Sequence, residues 1–411
     1  MISSQTIKQL ETATFSILLD SLNGYEGEVM LSLEGLPSGI KATLDKMMVR
    51  VPGEVMLTVQ SSKYIKPGIY ELTIIGNDGL ARHSLDLMIT VDANPAIAEG
   101  IITTPGPGPK NPSSVSLISK ELKPLLEFAA LSSNYGAYAA SADIDGDGYD
   151  EIVVAQGPGP QNSATLRVFK RDGTFITEVT LFDTKYGMTL SSGDIDGDWK
   201  DEIIAGIGPG PGNPATLKVV KFNNGGFIEL TTKTLPYNLQ YGLNTAMGDI
   251  DGDGMQEIIT SLGPGPDNPA TVTIWKQTGQ YLTEMQSFTV FGGTYGVNIS
   301  TGDIDGDGVD EIITGTGPDP KNQAIVRAYK ADGTNLLEFV PYGAKHTYGV
   351  TVASADIDED GIDEIITGLG PGPQNLSWVK VFKSDGTEIA SFLAYPENSE
   401  YGVVFSGRVG K

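Results

Sequence analysis

Two rhythms of apolar and polar positions divide the chain. In the N-terminal part the two alternate within short runs: Ala13–Leu19, Glu28–Glu34, Ile40–Leu44, Val49–Val51, Val55–Gln60, Gly68–Gly76 and Arg82–Asp92. A period of two is the signature of a strand with one buried face. Turn chemistry separates the runs, at Asn23-Gly24, Leu36-Pro37-Ser38-Gly39, Pro52-Gly53, Lys66-Pro67-Gly68 and Asn77-Asp78-Gly79. Seven short strands spaced this way predict a β-sandwich over residues 1–94.

From residue 95 to 411 the same alternation is folded into a longer repeat. The phrase Asp143-Ile-Asp145-Gly-Asp147-Gly-Tyr149-Asp150-Glu151 returns at Asp194, Asp249, Asp303 and Asp356, a spacing of 51 to 55 residues. One full unit runs from Tyr348-Gly349 to Tyr395. It predicts a strand at Val350–Ser354, the acidic loop, a strand at Ile365–Leu369, a Gly370-Pro-Gly-Pro373 turn, and two further strands at Trp378–Lys383 and Ile389–Ala394. Four antiparallel strands in a module of this length make one blade of a propeller.

The Gly-Pro-x-Pro turn occurs six times, starting at Gly106, Gly157, Gly208, Gly263, Gly317 and Gly370, but the acidic loop occurs five times. The first unit lacks its opening strand, and the chain ends on Tyr401-Gly402-Val403-Val404-Phe405-Ser406-Gly407, which reads as an opening strand with no unit behind it. Closure follows: the C-terminal strand completes the first blade, leaves no open sheet edge, and gives six blades. The missing loop falls at Asp92-Ala-Asn94-Pro95, which lacks the third and fifth acids, and no metal is expected there.

Composition sharpens this picture. The formal charge is −25, and the five loops hold 25 of the 52 acidic residues. That balance disfavours nucleic acid and anionic membranes as partners. Carboxylates at positions 1, 3, 5 and 9 of a nine-residue loop suit a hard cation that takes six to eight oxygens, which is Ca2+. The expected ligands are Asp143, Asp145, Asp147, Glu151 and the Tyr149 carbonyl; Asp194, Asp196, Asp198, Glu202 and the Lys200 carbonyl; and Asp249, Asp251, Asp253, Glu257 and the Met255 carbonyl. The fourth set is Asp303, Asp305, Asp307, Glu311 and the Val309 carbonyl, and the fifth is Asp356, Asp358, Asp360, Glu364 and the Ile362 carbonyl. Trp199 replaces the sixth-position glycine, so that loop ranks as the weakest site. About five Ca2+ per chain would take the formal charge to −15.

Other repeated residues read as structural. Two prolines leave the Gly-Pro-x-Pro turn few N–H donors, which argues against a phosphate cradle. The asparagines that follow it (Asn111, Asn162, Asn213, Asn268, Asn322 and Asn375) are expected to satisfy turn backbone groups. The tyrosines Tyr135, Tyr186, Tyr241, Tyr295, Tyr348 and Tyr401 are expected to pack between blades. The chain has no cysteine, and its two histidines, His83 and His346, lie in different domains. No nucleophile–His–Asp set and no His or Cys metal site can be assembled, and no apolar run is long enough to span a bilayer.

The repeating unit resembles the FG-GAP repeat of integrin α-chain propellers and bacterial surface proteins. Tyr-Gly stands where that family has Phe-Gly, Gly-x-Gly-Pro where it has Gly-Ala-Pro, and the acidic loop lies where the family places calcium. Six blades against the seven of its best-known members, and Glu in place of Asp at position 9, are departures. The N-terminal stretch resembles the immunoglobulin-like domains of bacterial surface proteins, on Gly27–Gly39 and Pro67–Ile74. The resemblances imply a calcium-stabilised, non-enzymatic binding, adhesion or scaffold protein. It is expected outside a bacterial or archaeal cell, as part of a longer exported chain, with a protein or glycan ligand on a cell surface or matrix. A lectin with sugar sites between blades is the alternative, and a polysaccharide-active enzyme using the central cavity is a third reading. The segments Lys221–Gln240 and Pro341–Thr347, read as irregular and specific to their blades, are the candidate adhesive surfaces.

Overall fold

The computed structural model describes residues 4–409 apart from 22–23, 38, 63–64, 66, 93–99, 236–238, 359 and 397–398. The chain forms two compact units, Met1–Ile97 and Ala98–Gly410. The missing-loop segment at residues 92–95 falls mostly outside the described residues.

The N-terminal unit has strands β1 (Ser4–Lys8), β2 (Thr12–Leu19), β3 (Glu28–Glu34), β4 (Ile40–Leu44), β5 (Met48–Arg50), β6 (Gly53–Ser61), β7 (Gly68–Asn77) and β8 (Arg82–Asp92). They make two sheets, in the orders β1-β8-β7-β3-β5 and β2-β6-β4. The alternation does what its period dictates: Ala13, Phe15 and Ile17 of β2 are buried and meet Leu57, Leu72, Leu87 and Ile89 in one core. β1 is a strand beyond the seven expected; it pairs parallel with β8.

The second unit consists of six four-stranded antiparallel sheets. Blade 2 is built from Ala137–Ala142, Glu151–Gln156, Ser163–Phe169 and Phe175–Lys185, in that order. Blades 3 to 6 repeat the order from inner strands Met188–Gly193, Leu243–Gly248, Val297–Gly302 and Val350–Ala355. Blade 1 takes Gly100–Pro105, Pro112–Ser119 and Pro124–Asn134 from one end of the unit and Val403–Val409 from the other, the last pairing with Gly100–Pro105. The fold is therefore all-β, a six-bladed propeller closed by its C-terminal strand and preceded by a β-sandwich.

Successive inner strands touch all the way round the ring, from Ala137–Ala142 to Val350–Ala355, then to Val403–Val409 and back. The second residue of an inner strand ties it to the next blade. Thr189 Oγ1 donates to Leu243 O at 2.7 Å, Asn244 Nδ2 to Val297 O at 2.8 Å and Asn298 Nδ2 to Val350 O at 2.8 Å. Thr351 Oγ1 donates to Val403 O at 2.8 Å, so the closing strand is held as the inner strands of blades 4, 5 and 6 are. Because each strand reverses direction, all acidic loops lie on one rim and all Gly-Pro-x-Pro turns on the other.

Candidate metal loops and the joints between blades

Each acidic loop is wound by its own carboxylates. In blade 2, Asp143 accepts the Gly146 N–H on Oδ1 at 2.8 Å and the Gly148 N–H on Oδ2 at 2.9 Å. Asp147 Oδ1 accepts the Tyr149 N–H at 2.9 Å, and Glu151 Oε2 accepts the Ile144 N–H at 3.3 Å. The first acid therefore organises the turn while its remaining lone pairs point inward. Trp199 does not break the pattern. It adopts the left-handed backbone (φ 71°) that glycine holds elsewhere, and its N–H still reaches Asp194 Oδ2 at 2.8 Å.

Five clusters can hold a metal ion, each offering three carboxylate oxygens within 4.8 Å of one another. Positions 1, 3 and 9 converge in blades 2 to 5: Asp143, Asp145 and Glu151; Asp194, Asp196 and Glu202; Asp249, Asp251 and Glu257; Asp303, Asp305 and Glu311. In blade 6 the group is Asp356, Asp358 and Asp360, with Glu364 outside it. Asp147, Asp198, Asp253 and Asp307 stand outside the tight groups of their own loops. The position-7 residues are fixed through their N–H groups: Lys200 to Asp198, Met255 to Asp253, Val309 to Asp307 and Ile362 to Asp360. Their carbonyls remain ligands by expectation only.

The ninth residue carries the strongest electrostatic signature. Glu202 and Glu257 are almost wholly buried, and Oε1 of each faces a lysine ammonium, Lys221 at 2.7 Å and Lys276 at 3.1 Å. A buried carboxylate oxygen without a partner is costly, and a metal ion at the centre of the loop would serve it as the ammonium does. Burial first, and then the charge of Asp145, push the Glu151 carboxyl up to about 8. Burial likewise raises Glu202, Glu257 and Glu311 to about 7.

A lysine was missed by the sequence reading. Lys221 Nζ lies 2.7 Å from Asp196 Oδ2, 2.9 Å from Asp198 Oδ2 and 2.7 Å from Glu202 Oε1. Lys276 makes the same set with Asp251, Asp253 and Glu257 at 2.6, 2.6 and 3.1 Å. Lys330 sits 3.0 Å from both Asp305 and Asp307 and 3.7 Å from Glu311, and Lys383 lies 2.9 Å from Asp358 and 3.7 Å from Asp360. Burial alone would lower the Lys221 ammonium; its hydrogen bonds to Asp196, Glu202 and Asp198 outweigh that and hold it above the ordinary lysine value. The signal was in the chain: a lysine stands thirteen residues after the first turn glycine in all five blades that carry a loop, and Ser119 stands there in the blade that lacks one.

Position 8 of the loop proves to be a strap between blades. Asp201 Oδ2 accepts the Asp143 N–H at 2.8 Å, and its own N–H donates to Asp143 O at 2.8 Å. Asp310 does the same to Asp249, at 3.1 and 2.8 Å, and the Asp363 N–H reaches Asp303 O at 2.8 Å. Successive loops are thus joined through the first ligand of one and the eighth residue of the next.

On the opposite rim the asparagines do what was expected of them. Asn268 Nδ2 donates to Gly263 O at 2.9 Å and to Gln240 O at 2.7 Å, and Asn111, Asn162, Asn213 and Asn375 make the same pair of bonds. The tyrosines differ in detail. All six have φ between 68° and 73°, and the rings of all but Tyr295, in whose blade Asp319 takes the place, lie against the second turn glycine of their own blade: a Cβ on Gly159 would sit 2.7 Å from Tyr135 Cδ2. It is the Tyr-Gly backbone that bridges blades, as in Gly187 N–H to Asn162 O at 3.1 Å. Asn268→Ala should cost about 1 kcal/mol, because the Gly263 carbonyl loses one of its two donors and the Gln240 carbonyl its side-chain donor. Urea denaturation checks this, and an unchanged midpoint would refute the role.

Contrary to expectation, the part of Lys221–Gln240 up to Thr234 is regular, while 236–238 lie outside the described residues. It contains the end of Thr216–Asn223 and the outer strand Gly226–Thr234, and Lys221 is committed to the acidic loop. In Pro341–Thr347, Tyr342 is anchored, its hydroxyl donating to Thr367 O and Trp378 O at 2.8 and 3.0 Å, whereas Gly343, Ala344 and Lys345 are exposed.

Residues 143–205 and 194–260 match the FG-GAP-like repeat family. The chain carries FG-GAP-like repeats. Integrin alpha-PS2 of Drosophila melanogaster is 25% identical over 233 residues, 49% of this chain and 16% of that protein. Integrin alpha-8 of Homo sapiens is 21% identical over 221 residues, 47% of this chain and 20% of its own length. The FG-GAP-like region is thus distantly homologous to integrin alpha chains over about half of this chain, and the match spans about a fifth or less of those relatives. Among solved structures, a quinonprotein alcohol dehydrogenase-like protein from Bacteroides thetaiotaomicron is 10% identical and covers 99% of this chain and 96% of its own, with a TM-score of 0.34. That overlap is too low to bear on function.

Proposed function

We propose that this chain is a calcium-stabilised binding module of an exported or surface protein, with the propeller as its interaction platform. The observation that carries the reading is the five-fold convergence of carboxylates on one rim, with Glu202 and Glu257 buried among them. Hard oxygen donors on a flexible loop suit Ca2+ better than a metal that prefers nitrogen or sulfur. The residues that would hold it are those at positions 1, 3, 5 and 9, with the position-7 carbonyl. Similarity to integrin alpha chains supports a binding role over catalysis. So does the cavity of about 150 Å3 inside the ring on the turn rim. Its lining includes six prolines (Pro107, Pro158, Pro209, Pro264, Pro318 and Pro371), with threonines, asparagines and aliphatic side chains, and no acid or base.

The repeated asparagines and tyrosines, which a repeated sugar site would need, are engaged with backbone and turn glycines. That favours a partner recognised by a surface that differs from blade to blade, and the exposed tip Gly343–Lys345 is one. Two measurements test the reading. Elemental analysis after dialysis against micromolar Ca2+ is expected to find about five ions per chain, and fewer than two would overturn the calcium assignment. A glycan array and a panel of immobilised matrix proteins, each probed with Ca2+ and with chelator, are expected to show calcium-dependent binding to a protein. Binding to one sugar class alone would move the lectin reading ahead.

A further inference from the structure

The lysine of the third strand places an ammonium where the loop would place a cation. We propose that Lys221, Lys276, Lys330 and Lys383 are built-in counter-cations that hold their loops together without metal and compete with Ca2+ for them. The loop of blade 2, whose lysine stands off, then fills first.

Three observations carry this. Each ammonium contacts the same carboxylates that would ligate the ion, at positions 3 and 5 in all four blades and at position 9 in blades 3 to 5. The lysine occurs with the loop and is replaced by Ser119 where the loop is missing. The fit is graded: in blades 3 and 4 the ammonium reaches the buried Glu oxygen at 2.7 and 3.1 Å, in blade 5 it stands 3.7 Å away, and in blade 6 it touches only Asp358 and Asp360. Lys170, at the equivalent place in blade 2, makes no ion pair among the described residues. An ammonium and a calcium ion cannot share one set of oxygens, so binding must expel the ammonium and break its charge-assisted hydrogen bonds. The arrangement would keep a ring of acidic loops folded at low calcium, because like charges at close range are neutralised from within.

The affinity half of the proposal rests on the calcium reading above, whereas the counter-cation half does not. The test uses the full chain with Lys276→Met, Lys276→Arg and Lys170→Met. In metal-depleted buffer, Lys276→Met should lower the melting temperature by about 3 °C. Lys276→Arg should restore most of the loss, and Lys170→Met should leave the temperature unchanged. In calorimetric titration with CaCl2, wild type should show one tight site and a weaker class. Lys276→Met should move one weak site about tenfold tighter, and Lys170→Met should move none. An unchanged or higher metal-free melting temperature for Lys276→Met overturns the counter-cation, and an unchanged calcium affinity overturns the competition. Equal effects of Lys170→Met and Lys276→Met overturn the ranking of the blades. If neither wild type nor variant takes up Ca2+, the calcium reading fails and the competition with it, while the metal-free melts still decide the role of the lysine.

Discussion

Deleting Tyr401–Lys411 should cost about 6 kcal/mol or more and turn a cooperative unfolding transition into a broad one. The removed segment supplies the inner strand of blade 1. Val403 is fully buried, and losing it forfeits about 1.5–3 kcal/mol of burial. Thr351 Oγ1 loses its acceptor at Val403 O, Asn375 O loses the Gly402 N–H, and Gly106 N–H loses Gly402 O, at about 1–3 kcal/mol each when left buried. Blade 1 would then expose the edge of Gly100–Pro105, which invites association between chains. Total stability of a domain is about 5–15 kcal/mol, so the loss removes much of it. Gly402→Ala makes the same test with one substitution. Its φ is +69° and an added Cβ would overlap Leu369 O, so the joint between blades 6 and 1 could not close. Denaturant titration followed by circular dichroism measures both, and sedimentation reports the association. A truncated chain with the wild-type midpoint would show that the ring does not depend on its closing strand.

Removing calcium should lower the melting temperature by about 20 °C at pH 8 and by much less at pH 5. A site at one hundred times its dissociation constant adds about 2.7 kcal/mol, so five independent sites add about 13 kcal/mol at most. The pH dependence follows from the buried glutamates. Burial raises Glu151 to about 8 and Glu202, Glu257 and Glu311 to about 7, from 4.5. Between those limits the metal-free folded chain binds more protons than the unfolded one. Its stability is therefore fully present below about pH 4.5 and is lost as pH rises through 7 to 8. Calcium keeps these carboxylates ionised and cancels the loss, so the difference between calcium-loaded and metal-depleted protein widens with pH. Calorimetric scans at pH 5, 6.5 and 8 check it. A metal-depleted protein that gains stability from pH 5 to pH 8 would contradict the burial of these acids.

Much of both units was legible because their rules are local. β3, β4 and β8 begin and end where the alternation does, since a period of two fixes which face is buried. Four- and six-residue turn signatures marked the blades, and the imbalance of six turns against five loops revealed closure before any contact was known. β1 escaped because Ser4–Lys8 is short, half-exposed and paired only through β8. The outer strand Gly226–Thr234 was read as irregular because its two-residue Asn224-Gly225 link was not recognised as a turn; Asn224 holds φ 50° and Gly225 φ 87°.

Sequence by itself determined the repeat, the number of blades and the pattern of acids in each loop. These need only residues within nine positions of one another, or a count of signatures along the chain. Tertiary structure alone decided what surrounds each loop. Lys221 and Asp196 stand 25 positions apart, and Asp143 and Asp201 stand 58 apart. The strand reversals within a blade bring the first pair together, and the packing of one blade on the next brings the second. A lysine at the end of a strand and an aspartate beside a ligand look solvated in one dimension. Folding of a single blade sets the lysine against its acids, and packing of one blade on the next makes the aspartate a strap, because each step places charges or N–H groups distant in sequence within hydrogen-bond distance.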